Sequence, residues 1–542
     1  MPDQPVLNLD ESERDLAARL LASFLDDYEH SIAERHILPA VDRAALESLL
    51  TTPFPDKGIG VEEVFREINQ KILPNSTTVS HPRFLAYVIG PPNGIAPYAE
   101  AIAAAINQNC VIWRGGPAAS VIERAVVAWL AGLFGYDGNA GGVLTPGGSI
   151  ATLDALSAAL HARRPRFRQH GLQTADPSLV LYTSVEAHWC IDKAAAILGI
   201  GVDNVRRLPV DHHYRMRADA LGQAIRADRE RGLEPFCVVA TPGTVTTGSI
   251  DPIADIADVC EREHLWLHLD GAYGGLFALS ERKREAFQAC ARADSIAVDP
   301  HKLLFAPLEA GCLLVRDRTT LTQAFAFRPS VGVVDKDPLM LDYMDYGQQL
   351  SRGFRALKLW AALQTFGVDA FRSALDRTLD LARYLAELIE AEPGLELMAP
   401  VPLTAVCFRI QDATEADHAA VLARLAEEGT AFLIPAHIDG QPGIRACVTN
   451  YRTTHADIDL IVARLSDIAR QLSMRDLRRV PRRMAVRLTG QNGHQSSRNS
   501  LRPKSCALKG SPGDAPPPVT RRGRLGPNLH HRVTRGQRFP RP

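Results

Sequence analysis

The apolar positions change their spacing three times along the chain. Up to about residue 80 they recur at helical intervals. Leu16, Leu20, Leu21, Phe24 and Leu25 make one stripe in residues 11–30, and Val64, Phe65, Ile68 and Ile72 make another in 61–73, closed by Pro74. From His81 onward short β-rich runs alternate with helical ones. The β-rich runs are 179–183, 205–208, 237–241, 266–269, 295–298 and 311–315. Helices are predicted at 97–107, 118–134, 150–163, 192–198, 218–231 and 253–263, and residues 141–149 read as a glycine-rich turn. Residues 354–366 predict another helix. After it come strands at 406–410, 431–435 and 444–448, and helices at 379–391, 418–427 and 457–472. The pattern predicts an α/β chain in four parts. These are a helical N-terminal arm (1–80), a large domain with a mostly parallel sheet and helices on both faces (81–353), a smaller C-terminal α/β domain (354–473), and a tail (474–542).

Composition changes this picture only at the tail. Hydrophobic residues make up 46% and charged residues 23%, as in ordinary soluble enzymes. The net charge of -1 hides two unlike parts. From Arg475 to Pro542 there are 17 Lys and Arg against two acids, which leaves 44 basic and 60 acidic residues in 1–474. An acidic body argues against nucleic-acid binding. The tail is rich in Arg, Pro, Gly and Ser and too poor in apolar residues to offset the entropy of ordering it, so it reads as disordered. Nine scattered cysteines without a Cys-x-x-Cys pair indicate neither a disulfide framework nor a metal site. No apolar stretch approaches the roughly 20 residues needed to span a bilayer. The acidic N-terminus lacks a signal pattern, and a cytoplasmic location is the default expectation.

Four short stretches carry candidate chemistry. Lys302, in Asp299-Pro300-His301-Lys302 before the apolar run 303–307, is one of only nine lysines. An amine in apolar surroundings loses some preference for its charged form, and the neutral amine can form a Schiff base. Gly147-Gly148-Ser149 opens a helix, where backbone N–H groups and the helix dipole suit a phosphate. Asp270 ends a buried strand, in the place where ligands bind in open α/β sheets, and it could hold a ring nitrogen protonated. His188 follows another strand and could stack on a planar cofactor. Each has a plainer reading: a solvated lysine, a simple helix start, a capping carboxylate, a structural loop histidine. Together they are the parts a pyridoxal phosphate site requires.

The motifs Thr145-Pro146-Gly147-Gly148-Ser149, Glu186-Ala187-His188, Ala240-Thr241-Pro242-Gly243-Thr244, His268-Leu269-Asp270-Gly271-Ala272-Tyr273, Asp299-Pro300-His301-Lys302 and Ser351-Arg352-Gly353-Phe354-Arg355 extend this reading. They resemble those of the pyridoxal-phosphate-dependent group II amino-acid decarboxylases, which include the aromatic-L-amino-acid and glutamate decarboxylases. The resemblance covers roughly residues 60–470. It implies a fold-type I homodimer with an N-terminal arm wrapping the partner, acting on a small amino-acid substrate. It also implies catalytic roles for Lys302 as the Schiff-base lysine, His188 stacked on the pyridine ring and Asp270 paired with the ring nitrogen. Gly147, Gly148, Ser149 and His301 would lie around the phosphate, Thr244 beside the ring, and Phe84 and Tyr87 near the substrate. Asp299 stands where many relatives have Asn, and a carboxylate there would repel phosphate unless it faces away. In aromatic decarboxylase relatives a mobile-loop tyrosine helps return a proton after CO2 leaves. Its place falls here at Val331, within 329–338, and the nearest tyrosines are Tyr343 and Tyr346. Decarboxylation to the amine is therefore the main expectation. The alternatives are an oxygen-consuming aldehyde synthase, another lyase, or a transaminase using Arg445 as a carboxylate clamp.

Overall fold

Seven strands build the large sheet: β1 Gly141–Thr145, β2 Leu179–Ser184, β3 Val205–Leu208, β4 Glu234–Ala240, β5 Trp266–Gly271, β6 Ser295–Val298 and β7 Gly311–Val315. The computed structural model describes residues 7–173, 176–327 and 339–471. The expectations for Val331, its surrounding loop and the tail lie outside the described residues. The strand order is β1-β7-β6-β5-β4-β2-β3. Neighbours from β6 to β3 run parallel, while β7 is antiparallel to both β6 and β1.

The strands are nearly all apolar because both faces are covered. Leu144, Tyr182, Val238, Leu267, Leu269, Ile296 and Leu314 feed one core, shared with helices Pro117–Leu133 and Ile253–Glu263. Their alternates Val143, Leu181, Val239, Ala297 and Leu313 feed the opposite face, under helices Gly148–Arg163 and Cys190–Ile197.

One local expectation is corrected. Residues 141–145 are not part of a turn but form β1, registered against β7 from Gly141↔Val315 to Thr145↔Gly311. Their glycines serve close packing. A Cβ on Gly142 would lie 2.2 Å from the Leu313 carbonyl oxygen.

The second sheet, ordered β10-β11-β9-β8, is antiparallel throughout. It comprises β8 Leu395–Leu397, β9 Ala405–Ile410, β10 Ile434–Ile438 and β11 Gln441–Cys447. Helix Arg355–Ala391 connects the two sheets in one sweep, bent at Gly367, whose φ is 72°. Leu375 and Leu379 pack into the large core, and Leu381 and Leu385 into the small one, so the passage between cores falls inside this helix. The chain also reaches the small sheet early. Phe84 bridges Phe432, and the Leu85 amide donates to the Phe432 carbonyl.

The N-terminal helix Glu11–Ser31 is fixed at its start by a capping box between Asp10 and Glu13. Arg452 ties it to the body through an ion pair with Glu29.

Candidate active site

The carboxyl ends of the parallel strands meet the amino end of helix Gly148–Arg163 around a cavity of about 480 Å³. Its walls include Gly147, Gly148, Ser149, His188, Asp270, His301 and Lys302, so seven of the eight residues singled out as the site converge there. Each lies in the last residues of a buried strand or within four residues of its end, at the edge where open α/β sheets bind ligands.

Lys302 lies in the short helical turn Pro300–Leu303 after β6, and its Nζ is 2.8 Å from Asp299 Oδ2. Burial alone would lower the lysine pKa, but the charge and hydrogen bond of Asp299 outweigh it and hold the amine above its ordinary value. The other oxygen of that carboxylate, Oδ1, is buried without a hydrogen-bond partner.

Asp270 is buried at the end of β5. Its Oδ1 accepts from the Ala272 amide at 3.2 Å, and the Cys190 thiol donates to Oδ2 at 3.8 Å. The Cys190 amide also donates to His188 Nδ1 at 3.2 Å. Cys190 thus touches both the carboxylate and the imidazole. Burial pushes its thiol pKa up and lowers that of His188, although the Asp270 charge opposes the latter. Residue type alone gave Cys190 no chemical signal, because it reads as one more small apolar position.

Helix Gly148–Arg163 has no side-chain cap. The Ile150 amide donates to the Gly147 carbonyl at 3.0 Å, and the earlier N–H groups of a helix start are the ones that suit an anion. A Cβ on Gly148 would lie 2.8 Å from Ala272 Cβ and 3.1 Å from Asp299 Oδ2, so the wall closes against this glycine. His301 sits above Gly147, with its Nδ1 engaged at 2.7 Å by the Ala310 carbonyl and its pKa lowered by burial.

Thr244 is the exception. It is fully buried, its hydroxyl pairs with that of Thr247 at 2.9 Å and it accepts from the Ser249 amide, while Thr241, Gly243 and Val245 line the cavity. Tyr87 lines the cavity too, whereas Phe84 packs behind it at 6.0 Å between ring centroids. Arg445 is buried on the wall rather than solvated. It donates to the carbonyls of Val245 and Ala86 and leaves its Nε without a partner. Tyr343 and Tyr346 do not line the cavity, and the Arg352 guanidinium lies 4.9 Å from the Tyr343 ring centroid.

The chain matches the model of the pyridoxal-dependent decarboxylase conserved domain over residues 44–411. It belongs to that family. An aromatic-L-amino-acid decarboxylase of Bacillus atrophaeus is 31% identical over 86% of this chain and 97% of its own length. A phenylacetaldehyde synthase of Petunia hybrida is 28% identical over 83% and 93%. Oryza sativa TDC, solved with PLP and tryptamine, superposes with a TM-score of 0.80 at 26% identity, covering 86% of this chain and 99% of that one. The family resemblance and the fold-type I architecture expected from the motifs are borne out. This decarboxylase uses pyridoxal phosphate, and its cavity fits that group. An amine, a buried carboxylate, an imidazole and an uncapped helix start face one space.

Proposed function

We propose that Lys302, Asp270 and His188 are the catalytic residues of an L-amino-acid decarboxylase that releases the amine and CO2. The observation carrying this reading is the convergence of these three side chains and the Gly147-Gly148-Ser149 cradle on one cavity. Bound pyridoxal phosphate supplies an electron sink for the bonding pair left at Cα as CO2 departs. The protein supplies the rest. Lys302 would hold the cofactor through its Nζ, the amine that lines the cavity. Asp270, oriented by the Ala272 amide and the Cys190 thiol, keeps a proton on the ring nitrogen. His188, held by the amide of Cys190, would lie against the ring. Gly147, Gly148, Ser149 and His301 would surround the phosphate, and Thr244 is buried next to the lining residues Gly243 and Val245.

Tyr87 and Val88 give the cavity an aromatic and apolar wall, and Arg445 places a buried cation on it that suits a carboxylate substrate. The test is a panel of amino acids assayed together for CO2, amine, aldehyde and peroxide. Stoichiometric amine and CO2 support the reading. CO2 release from none of them overturns it.

A second reading, aldehyde synthesis with oxygen, rests on the supply of protons. Of the two tyrosines on the cavity wall, Tyr273 has its hydroxyl committed to Thr404 at 2.7 Å, which leaves Tyr87 among the described residues. Aldehyde and peroxide in place of amine would assign that reaction.

Two further properties belong to the proposal. A homodimer is supported by exposed apolar side chains on helix Ala96–Ile106 (Tyr98, Ile102 and Ile106) and by Trp189 beside His188. Light scattering should give twice the chain mass. A cytoplasmic location is supported by eight free, buried cysteines among the described residues. No helix of these residues is long and apolar enough to cross a membrane. Fractionation of native cells checks it.

A further inference from the structure

A second cavity, of about 630 Å³, opens where residues 249–254, 282–289 and 400–402 come together. It shares no lining residue with the first. The stretch 241–251 contributes to both. Thr241, Gly243 and Val245 line the first, and Ser249, Ile250 and Asp251 line the second. Its volume falls in the roughly 300–1,000 Å³ range of small-molecule pockets. Much of its wall is apolar, with Ile250, Pro252, Ile253, Pro400 and Pro402.

The charged side chains on this wall differ in what they meet. Arg215 pairs with Asp211 at 2.7 Å, and Arg282 pairs with Asp380. Asp251 accepts from the amides of Met216 at 2.7 Å and Thr241 at 2.8 Å, so both of its oxygens are engaged. Lys283 is different. Elsewhere among the described residues, lysines withdrawn from solvent meet a carboxylate: Lys71 meets Glu67, Lys302 meets Asp299 and Lys358 meets Glu100. Lys283 is half-buried, and the charges that act on it are those of Arg383 and Arg282, both positive. Burial and these two cations together lower its pKa. Glu285, the other acid on the wall, is exposed and is not among the charges acting on it. An amine so placed lacks a counter-charge, and an anion in the cavity would supply one.

We propose that this cavity is a binding site for a small organic carboxylate, with the carboxylate on the Lys283 amine and the apolar body against Ile250, Pro252, Pro400 and Pro402. The amine donates to the carboxylate oxygens, and the ion pair offsets the repulsion from Arg282 and Arg383. The apolar wall distinguishes such a ligand from a bare anion, which gains the charge contact alone. The site is independent of the roles given to Lys302, Asp270 and His188.

The experiment titrates the full-length, cofactor-loaded protein by calorimetry with 3-phenylpropionate, its neutral amide 3-phenylpropanamide, and inorganic phosphate. Wild type is compared with Lys283→Gln and Lys283→Arg. In wild type, 3-phenylpropionate should bind at least about tenfold more tightly than either control, because the amide lacks the charge and phosphate lacks the apolar body. Lys283→Gln should lose the advantage over the amide, and Lys283→Arg, which keeps the charge, should retain most of it. Binding in the first cavity is told apart because Lys283 does not line it, so such binding survives Lys283→Gln. Equal affinity of wild type and Lys283→Gln for 3-phenylpropionate would overturn the inference, as would the absence of binding to wild type. Phosphate binding as tightly as 3-phenylpropionate would overturn the assignment of an organic ligand. If Lys283→Gln does not fold, photolabelling of wild type with 3-(4-azidophenyl)propionate decides the matter. Label within 249–254, 282–289 or 400–402 is expected, and label confined to other residues, or none, refutes the proposal.

Discussion

Replacing Gly148 by Ala adds one methyl group at the amino end of helix Gly148–Arg163, and its cost can be worked from the surrounding atoms. The new Cβ would sit 2.8 Å from Ala272 Cβ, well inside van der Waals contact, and 3.1 Å from Asp299 Oδ2. Overpacking of this kind costs roughly 1–3 kcal/mol. Ala in place of Gly in a helix returns up to about 1 kcal/mol. Net stability should therefore fall by about 0–3 kcal/mol, and the protein should stay folded. Cofactor affinity should suffer more specifically. The methyl group pushes the wall toward the N–H groups that receive the phosphate. A tenfold to hundredfold loss, about 1.4–2.8 kcal/mol, is expected for pyridoxal phosphate and little change for pyridoxal. Absorbance titration of the cofactor-stripped variant, alongside a thermal melt, measures both terms. A folded Gly148→Ala protein binding pyridoxal phosphate within twofold of wild type would refute the placement of the phosphate.

Three other outcomes follow from buried groups. Asp270→Asn should leave the link to Lys302 visible by absorbance but lower turnover by on the order of 10²–10³, the scale for removing one preorganised charge. Arg352 is buried among Glu123, the Cys110 carbonyl at 2.9 Å and the Leu144 carbonyl at 2.8 Å, so Arg352→Met strands the Glu123 charge. It should cost about 3–5 kcal/mol by denaturant titration, and adding Glu123→Gln should recover part of that. Burial lowers the pKa of His268 from 6.5 to about 4, so the folded state resists a proton that the unfolded chain accepts. Its contribution is complete above pH 6.5 and is lost as pH falls toward 4, a change of roughly 3 kcal/mol. Denaturant titrations at pH 7.5, 5.5 and 4.5 should show a shallower loss in His268→Gln.

Much of the frame was legible because buried parallel strands are short apolar runs bounded by turn residues. The six runs from 179 to 315 became β2 to β7 with small shifts at their ends. What stayed hidden depends on contacts rather than local pattern. β1 looked like a turn because its glycines answer to the neighbouring Leu313 carbonyl, which no local rule reveals. Thr241 and Thr244 are equivalent in sequence, and only the path through Pro242 and Gly243 turns one to the cavity and the other to Ser249. Arg352 and Glu123 are 229 residues apart, and the sole hint was an acid in an Ala-rich helix. Arg445 reads as an ordinary strand-end cation until β11 is seen to carry it under Val245 and Ala86. The catalytic candidates were readable for the opposite reason. Asp270 sits in the last residues of β5, and His188 and Lys302 each come four residues after β2 and β6 end, so chain order puts them at one edge of the sheet.

The central claim is that Lys302 is the amine holding the cofactor, and borohydride reduction of the cofactor-loaded protein tests it most directly. Reduction makes the link permanent, and peptide mass mapping then shows which of the nine lysines carries the cofactor. The account predicts a single modified peptide containing Asp299-Pro300-His301-Lys302, absent in Lys302→Ala. A label on any other lysine, or a label that survives in Lys302→Ala, would contradict it.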